Sequence, residues 1–372
     1  MIFNIEKETF LKGLAKIQGI VEKRNTIPIL SNVLIEASSN EIRLTATDLE
    51  VGMQSTYDAK VIEPGKITVS AKKLHEIIRE LPDSEISFKS KENSWIEIRC
   101  GKAMFNIVGL SPDEFPYFPS QDKYNFIEIN SNDIKEMIEK TFFSISTDET
   151  KYNLNGIYVK NVNLDGNNKL RFVATDGHRL SMIQKDIDTS KIEELNKGVI
   201  FPRKGIFELK KIADEEGTPI FLGFMDNNAI IKRDRTIVLM RLVDGEFPDY
   251  NRVIPKENNI YSEIKTNEFL HALKRISILS SEKSKGVKLL FKADSLDISS
   301  SNPDFGDARE DLSMIYSGPE ISIGFNAKYL LDILNNYQEE NIKLSIKDNL
   351  SPGLLTPLNN TDYIAVVMPM RL

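Results

Sequence analysis

The block Thr175-Asp176-Gly177-His178-Arg179-Leu180 holds the residue types of an acid–base site. An aspartate could orient the histidine as a general base, beside an arginine able to stabilise an anion. No nucleophile, metal-ligand set or phosphate-cradling glycine loop accompanies it. Gly177 reads better as permitting a tight turn between strands, so a structural turn ranks first, a binding role second and catalysis last. An enzyme acting on nucleotides or small phosphates through Asp176, His178 and Arg179 is kept as the alternative. Metal chemistry has less to work with: His75, His178 and His271 are far apart, none in a paired spacing such as HxxxH, and Cys100 is the one cysteine. Cys100 is expected to be a small buried hydrophobe in a strand, and neither metal nor cofactor is expected.

The elements that position this block come from a chain of 372 residues, long enough for two or three domains. With 41% hydrophobic and 28% charged residues the composition is that of a soluble globular protein. The opening MIFNIEKETF has no basic flank before an apolar core, and no run approaches the roughly 18 apolar residues of a membrane span. The expected location is the cytoplasm, with no membrane partner. A formal net charge of -7 argues against nucleic acid unless charge is segregated. A protein that surrounds DNA needs positive potential only on its inner wall.

Three copies of one unit follow one another. Each opens with an amphipathic helix, carrying Phe10, Leu11, Leu14, Ile17 and Val21 in the first, Ile134, Met137, Ile138 and Phe142 in the second, and Phe269, Leu270, Leu273 and Ile276 in the third. Ser131 or Asn132 is the expected N-cap of the second, Thr266 or Asn267 of the third. Strand pairs with period-two alternation come next, in SNVLIEASSNEIRLTATD, LNGIYVKNVNLDGNNKLRFVATD and KGVKLLFKADSLDISSSN, with hairpin turns at Ser39-Asn40 and Asp165-Gly166. A short apolar strand then leads into a second helix in ITVSAKKLHEIIREL, VIFPRKGIFELKKIA and ISIGFNAKYLLDILNNY. Asp48 and Asp176, or Phe115-Pro116 and Phe247-Pro248, recur at roughly 130 residues, a period suited to whole domains. Linkers are expected near Ser120–Asn125 and Pro255–Asn259. The fold class is α+β, three similar domains each with an antiparallel sheet on one face and two helices on the other. Such sheets leave edge strands, through which a second copy could close a ring.

VATDGHRLSM, FPRKGIFEL, VDGEFPDYNRVIP and the terminal VVMPMRL, preceded by IPILSNVLIE and LTATDLEV, together resemble the bacterial DNA polymerase III beta subunit family of sliding clamps. The resemblance covers essentially the whole chain. It implies a DNA clamp fold with domains at 1–122, 123–254 and 255–372, the last ending in a partner-binding tail. Two chains would form a head-to-tail dimeric ring, sheets outside and helices inside. It implies a processivity factor, not an enzyme, that encircles duplex DNA, slides without sequence specificity and tethers the replicative polymerase. Implied partners are double-stranded DNA, a second copy, the DNA polymerase III alpha subunit, the clamp loader delta subunit, and other DNA polymerases and mismatch-repair proteins carrying a clamp-binding peptide.

The resemblance also assigns residues. A partner-peptide pocket between the second and third domains would comprise Leu154, Thr175, Gly177, His178, Arg179, Leu180, Pro248, Arg252, Val253, Val366, Val367, Met368, Pro369, Met370, Arg371 and Leu372. Methionine suits a surface that adapts to many peptides, while the plainer reading of VVMPM is a final strand tucked into a core. The dimer contact would set Ile278 and Leu279 against Phe105 and Ile107; the plainer reading of these four is ordinary core. Phosphate contacts would come from Arg24, Lys72, Lys73, Arg203, Lys204, Lys274 and Arg275, although such clusters are more often solvated helix faces. KK and RK fall at matching places in two repeats, which favours the phosphate role and weighs against a scaffold that binds only proteins. Two departures from the family pattern are Asn153, where an aromatic is often found, and the strongly polar loop Asp148–Lys151.

Overall fold

Each repeat folds in the order its sequence predicts: helix, hairpin, short strand, second helix. A computed structural model describes residues 1–21, 27–119, 125–215, 218–256, 260–282 and 284–371. Arg24, Leu372 and most of both expected linkers lie outside the described residues. Among those described there are seven α-helices: α1 (Lys7–Ile17), α2 (Ala71–Glu80), α3 (Ser131–Glu139), α4 (Glu193–Lys197), α5 (Arg203–Asp214), α6 (Thr266–Ile276) and α7 (Ala327–Asn335). The apolar stripes bury Phe10, Leu14 and Ile17 on α1, Ile134, Met137 and Ile138 on α3, and Phe269, Leu270, Leu273 and Ile276 on α6. Val21 and Phe142 fall beyond their helices, half-buried.

Neither residue expected to cap α6 does so. Ser131 and Thr266 are the first helical residues, and Lys265 precedes α6 with no side-chain cap. The strand Ile260–Lys265 runs straight into α6 and leaves no loop residue to do the capping. Where a polar residue does end the strand, a cap forms: Ser70 accepts from the Lys73 amide on α2 and Asn326 from the Lys328 amide on α7.

The hairpin turns are as expected. Ser39 and Asn40 take φ of 49° and 63°, Asp165 and Gly166 take 51° and 87°, and the flanking residues pair as Ser38 with Glu41 and Leu164 with Asn167. Two central residues with positive φ are what a two-residue hairpin needs to match strand twist.

The described residues form two compact units. The first comprises Met1–Ser131 with Phe207–Leu242, the second Asn132–Ile206 with Val243–Leu372. The division cuts the middle repeat because sheets run from one repeat into the next. In the first unit, strand Val51–Asp58 of the first repeat pairs with Thr236–Arg241 of the second, within an eight-stranded antiparallel sheet. In the second unit, strand Arg179–Lys185 pairs with Tyr363–Val367 of the third repeat, again within eight strands. Each unit also has a smaller sheet: Lys60–Glu63, Ile2–Glu6, Glu85–Ser90, Trp95–Cys100 and Ala103–Val108 in the first; Gly306–Ser313, Ser295–Asn302, Gly286–Lys292 and Ile321–Asn326 in the second.

The two helices of a repeat pack on each other and on the sheet, α1 with α2 in the first unit and α6 with α7 in the second. In the first unit Phe3 stacks on Phe88 at 4.8 Å and both meet the edge of Phe10, which locks α1 to the five-stranded sheet. Each such ring, fully buried, contributes about 2 kcal/mol or more through apolar burial. Cys100 is buried in its strand, its thiol 3.1 Å from the Ser84 hydroxyl, as expected.

Candidate functional site

Asp176 is consumed by the backbone around it. One carboxylate oxygen accepts the amides of His178 and Arg179, and the other meets Arg179 Nε at 3.0 Å. Thr175 Oγ1 donates to the Arg179 carbonyl at 2.6 Å and accepts the Gly177 amide, while Gly177 takes φ of 91°. The same knot is tied in the first repeat, where Asp48 accepts the Glu50 and Val51 amides and Thr47 Oγ1 donates to the Val51 carbonyl. There Leu49 takes φ of 77° and no histidine or arginine is present. An arrangement that recurs without the histidine and the arginine is turn architecture, as the first-ranked reading holds.

Arg179 is a structural hub of the second unit. It is buried, and beyond Asp176 it reaches Asp332 on α7 at 2.6 Å, the Phe143 carbonyl, and the face of Tyr329 at 4.5 Å. His178 is exposed and its ring lies parallel to that of Tyr329 at 6.4 Å. Burial, then the Asp176 charge, pushes the Tyr329 hydroxyl up from its ordinary pKa.

The chain's last strand anchors the expected pocket. Leu180 pairs with Val366, and Val366 and Val367 are buried, so the plainer reading holds for these two. After the strand the Met368 amide donates to the His178 carbonyl and the Met370 amide to the Gly324 carbonyl, both at 2.9 Å. These bonds hold a terminus that would otherwise fray. At the strand's start, burial works to raise Asp362, but Lys169 at 2.8 Å and Gln184 at 3.0 Å outweigh it and hold the carboxyl below its usual range.

The sixteen-residue set does not line one hollow. Arg252, Val253 and Met368 face a cavity of about 670 Å³ together with Ile254, Pro255, Lys347, Ser351 and Pro352. His178 and Arg179 line another, of about 720 Å³, with Phe142, Phe143, Tyr329 and Arg203. Leu154, Thr175, Leu180, Val366 and Val367 are buried, Pro248 and Arg371 are exposed, and Pro369 and Met370 are half-buried. Leu180 and Val366 share an apolar cluster with Val173, Met182, Tyr250 and Ile364, onto which Tyr158, Phe247, Ile254 and Leu354 pack. Residue reading missed Met182 and Phe247, although Met182 lies two residues beyond Leu180 on the same strand face and Phe247 precedes Pro248. Lys347, Ser351 and Pro352 had no signal, because a loop brought there by tertiary folding has no period.

The basic residues differ in availability. Lys72 and Lys73 are exposed on α2, with Glu76 at 3.9 Å and 2.8 Å. Arg203 opens α5, exposed, 5.7 Å from the Phe142 ring, and Lys204 beside it is half-buried. On α6 Lys274 is exposed, whereas Arg275 is held by Glu310 of strand Gly306–Ser313, with Nε at 2.9 Å.

Among the described residues, the residues of the expected dimer contact lie at or beside two sheet edges. In the first unit, strand Ala103–Val108 ends its sheet with Phe105 38% exposed and Met104 and Val108 exposed beside it, Ile107 being half-buried. In the second, strand Gly306–Ser313 ends its sheet, and the neighbouring turn Ser277–Leu279 leaves Ile278 78% exposed and Leu279 half-buried. Ordinary core is therefore the wrong description of Phe105 and Ile278.

Three models of the DNA polymerase III beta subunit match in order: the N-terminal domain over residues 1–119, the central domain over 128–249 and the C-terminal domain over 251–371. The chain is 36% identical to the beta sliding clamp of Caulobacter vibrioides over 374 residues, and 35% identical to that of Escherichia coli over 373, each comparison covering 100% of both chains. A crystal structure of the Caulobacter crescentus beta sliding clamp superposes with a TM-score of 0.95 at 35% identity, covering 100% of both chains.

Proposed function

The chain belongs to the DNA polymerase III beta subunit family, and from that premise we propose that it is a processivity factor closing head to tail with a second copy into a ring around duplex DNA. The observation that carries the proposal is the pair of open sheet edges. An unpaired edge strand beside exposed Phe105, and another beside exposed Ile278, are surfaces that a soluble chain normally covers. Pairing the first edge of one copy with the second edge of the other covers both kinds of edge in each copy and closes the ring.

Lys72, Lys73, Arg203, Lys204 and Lys274 are then phosphate contacts that neutralise charge without reading bases. Arg275 serves the ring more than the DNA, since Glu310 already holds it. Persistence on DNA comes from topology, so contacts can stay weak enough for sliding. The domains divide at 1–122, 123–254 and 255–372; the matching models over 1–119, 128–249 and 251–371 support their order, the last beginning four residues before the second boundary.

The tail Met368–Leu372, with Arg252 and Val253, receives a short apolar peptide carried by the polymerase alpha subunit, the loader's delta subunit, other polymerases and mismatch-repair proteins. The protein acts in the cytoplasm and is not an enzyme. Engagement of Asp176 by two amides and Arg179 supports that reading, because its bonds hold the turn and not the His178 ring.

The test is retention on nicked circular DNA after loading by a cognate clamp loader, followed by a single cut. Loss of the protein on linearisation is expected, since phosphate contacts are unchanged by a distant cut. Equal retention on circle and line would overturn the ring.

A further inference from the structure

We propose that the first repeat carries a second docking groove, built for an acidic, extended segment of a protein partner and separate from the pocket near the chain's end. In the first unit, Pro112 and Phe115–Pro119 cross the sheet face formed by strands Asn32–Ser38, Glu41–Thr47, Val51–Asp58 and Gly65–Ser70, enclosing about 600 Å³. The matching segment of the second repeat, Phe247–Tyr250, crosses the equivalent face and closes it: Tyr158 stacks on Phe247 at 4.9 Å, and Val173, Met182 and Tyr250 fill the space.

Three replacements open the first-repeat face. Strand register places Leu34, Thr45 and Gln54 where the second repeat has Tyr158, Val173 and Met182. The exchange removes one ring and two apolar chains and adds hydrogen-bonding groups.

The exchange also frees a cation. Arg171 in the second repeat is spent on Gln184 and on the Tyr250 hydroxyl. Its counterpart Arg43 stands opposite Thr56, which is too short to hold it, and the residue matching Tyr250 is Phe118, which lacks a hydroxyl. Arg43 and Lys66 are exposed, and both flank Glu36 across the strands without an ion pair among the described residues. Two cations against one carboxylate give the groove a positive balance on a chain of net charge -7, which selects carboxylates. A single excess charge is too little for a run of phosphates.

The wall suits a peptide. Pro112, Pro116 and Pro119 stiffen it, so little order is lost on binding, and Tyr117, 85% exposed, offers an aromatic face.

The experiment uses the full chain and two fluorescein-labelled probes, the peptide Glu-Pro-Glu-Tyr-Glu and its Gln-Pro-Gln-Tyr-Gln counterpart, read by anisotropy. The acidic probe is expected to bind at least about tenfold more tightly, as charge-assisted hydrogen bonds of this kind would give. The pair R43Q and K66Q should remove that advantage. Refilling the groove with L34Y and Q54M should block the probe while leaving both cations in place, and the thermal midpoint reports whether either variant still folds. Deleting Met368–Leu372 should change nothing, which separates this site from the tail pocket. Equal binding of the two probes, no binding of either, survival of binding in both groove variants, loss on tail deletion, or tighter capture of a thymidine octanucleotide than of the acidic peptide would each overturn the proposal.

Discussion

Arg179 shows how a residue that looks chemical becomes structural. Its guanidinium is shared among Asp176, Asp332 and the Phe143 carbonyl in a buried setting, so removing it takes a charged partner from two carboxylates, leaving Asp332 to Lys328 and Asp176 to two backbone amides. Arg179→Ala is expected to cost about 3 kcal/mol in urea unfolding. His178→Ala should cost less than about 0.5 kcal/mol, because its exposed ring packs on one side only. Asp362 makes a pH prediction. Its folded pKa lies below the ordinary carboxylate value, so its bond to Lys169 stabilises the fold above about pH 4 and is lost as pH falls through the folded value. Unfolding midpoints measured from about pH 6 down to pH 3 should therefore fall less steeply in Asp362→Asn than in the parent. The Asp-Gly-His-Arg block was visible in the sequence, but its partners Asp332 and Phe143 were not, since nothing local links residue 179 to a helix more than a hundred positions away.

At the scale of elements, periodicity located both principal helices of every repeat and the hairpin turns, because a buried stripe and a positive-φ turn are set by local residues. Helix starts failed where a strand runs directly into a helix, as at Thr266, and α4 escaped notice in a polar stretch with one buried leucine, Leu195. The proposed partner tail can be tested at the last described strand. Removing Met368–Leu372 deletes two backbone hydrogen bonds but leaves strand Tyr363–Val367 paired on both sides. The truncated chain is expected to stay folded and dimeric while losing the partner peptide; normal capture of polymerase would refute the tail's assignment.

At the scale of the whole molecule, the proposed ring is tested at the edge that carries Phe105 and at the turn that carries Ile278. Charged replacements at Ile278 and Leu279 should yield folded monomers, since a desolvated charge at an apolar contact costs several kcal/mol across two equivalent interfaces. Sedimentation mass unchanged from the parent would count against this contact. The basic residues should show in salt dependence: Lys72→Ala with Lys73→Ala is expected to shorten the residence of loaded protein on DNA modestly at low salt and hardly at all near 0.5 M, where screening is short-ranged.

The sequence by itself determined the repeat, the helices and strands within it, the turn at Gly177 and, through its motifs, the family. These follow from short-range patterns and from blocks kept in order. Only the tertiary structure decided that sheets run from one repeat into the next, that Arg275 is held by Glu310, that Phe105 and Ile278 stay uncovered, and that the expected pocket residues divide between two hollows and a core. Each of these depends on strand register and on which side chains meet across long separations, and the spacing of residues along a chain does not encode such meetings.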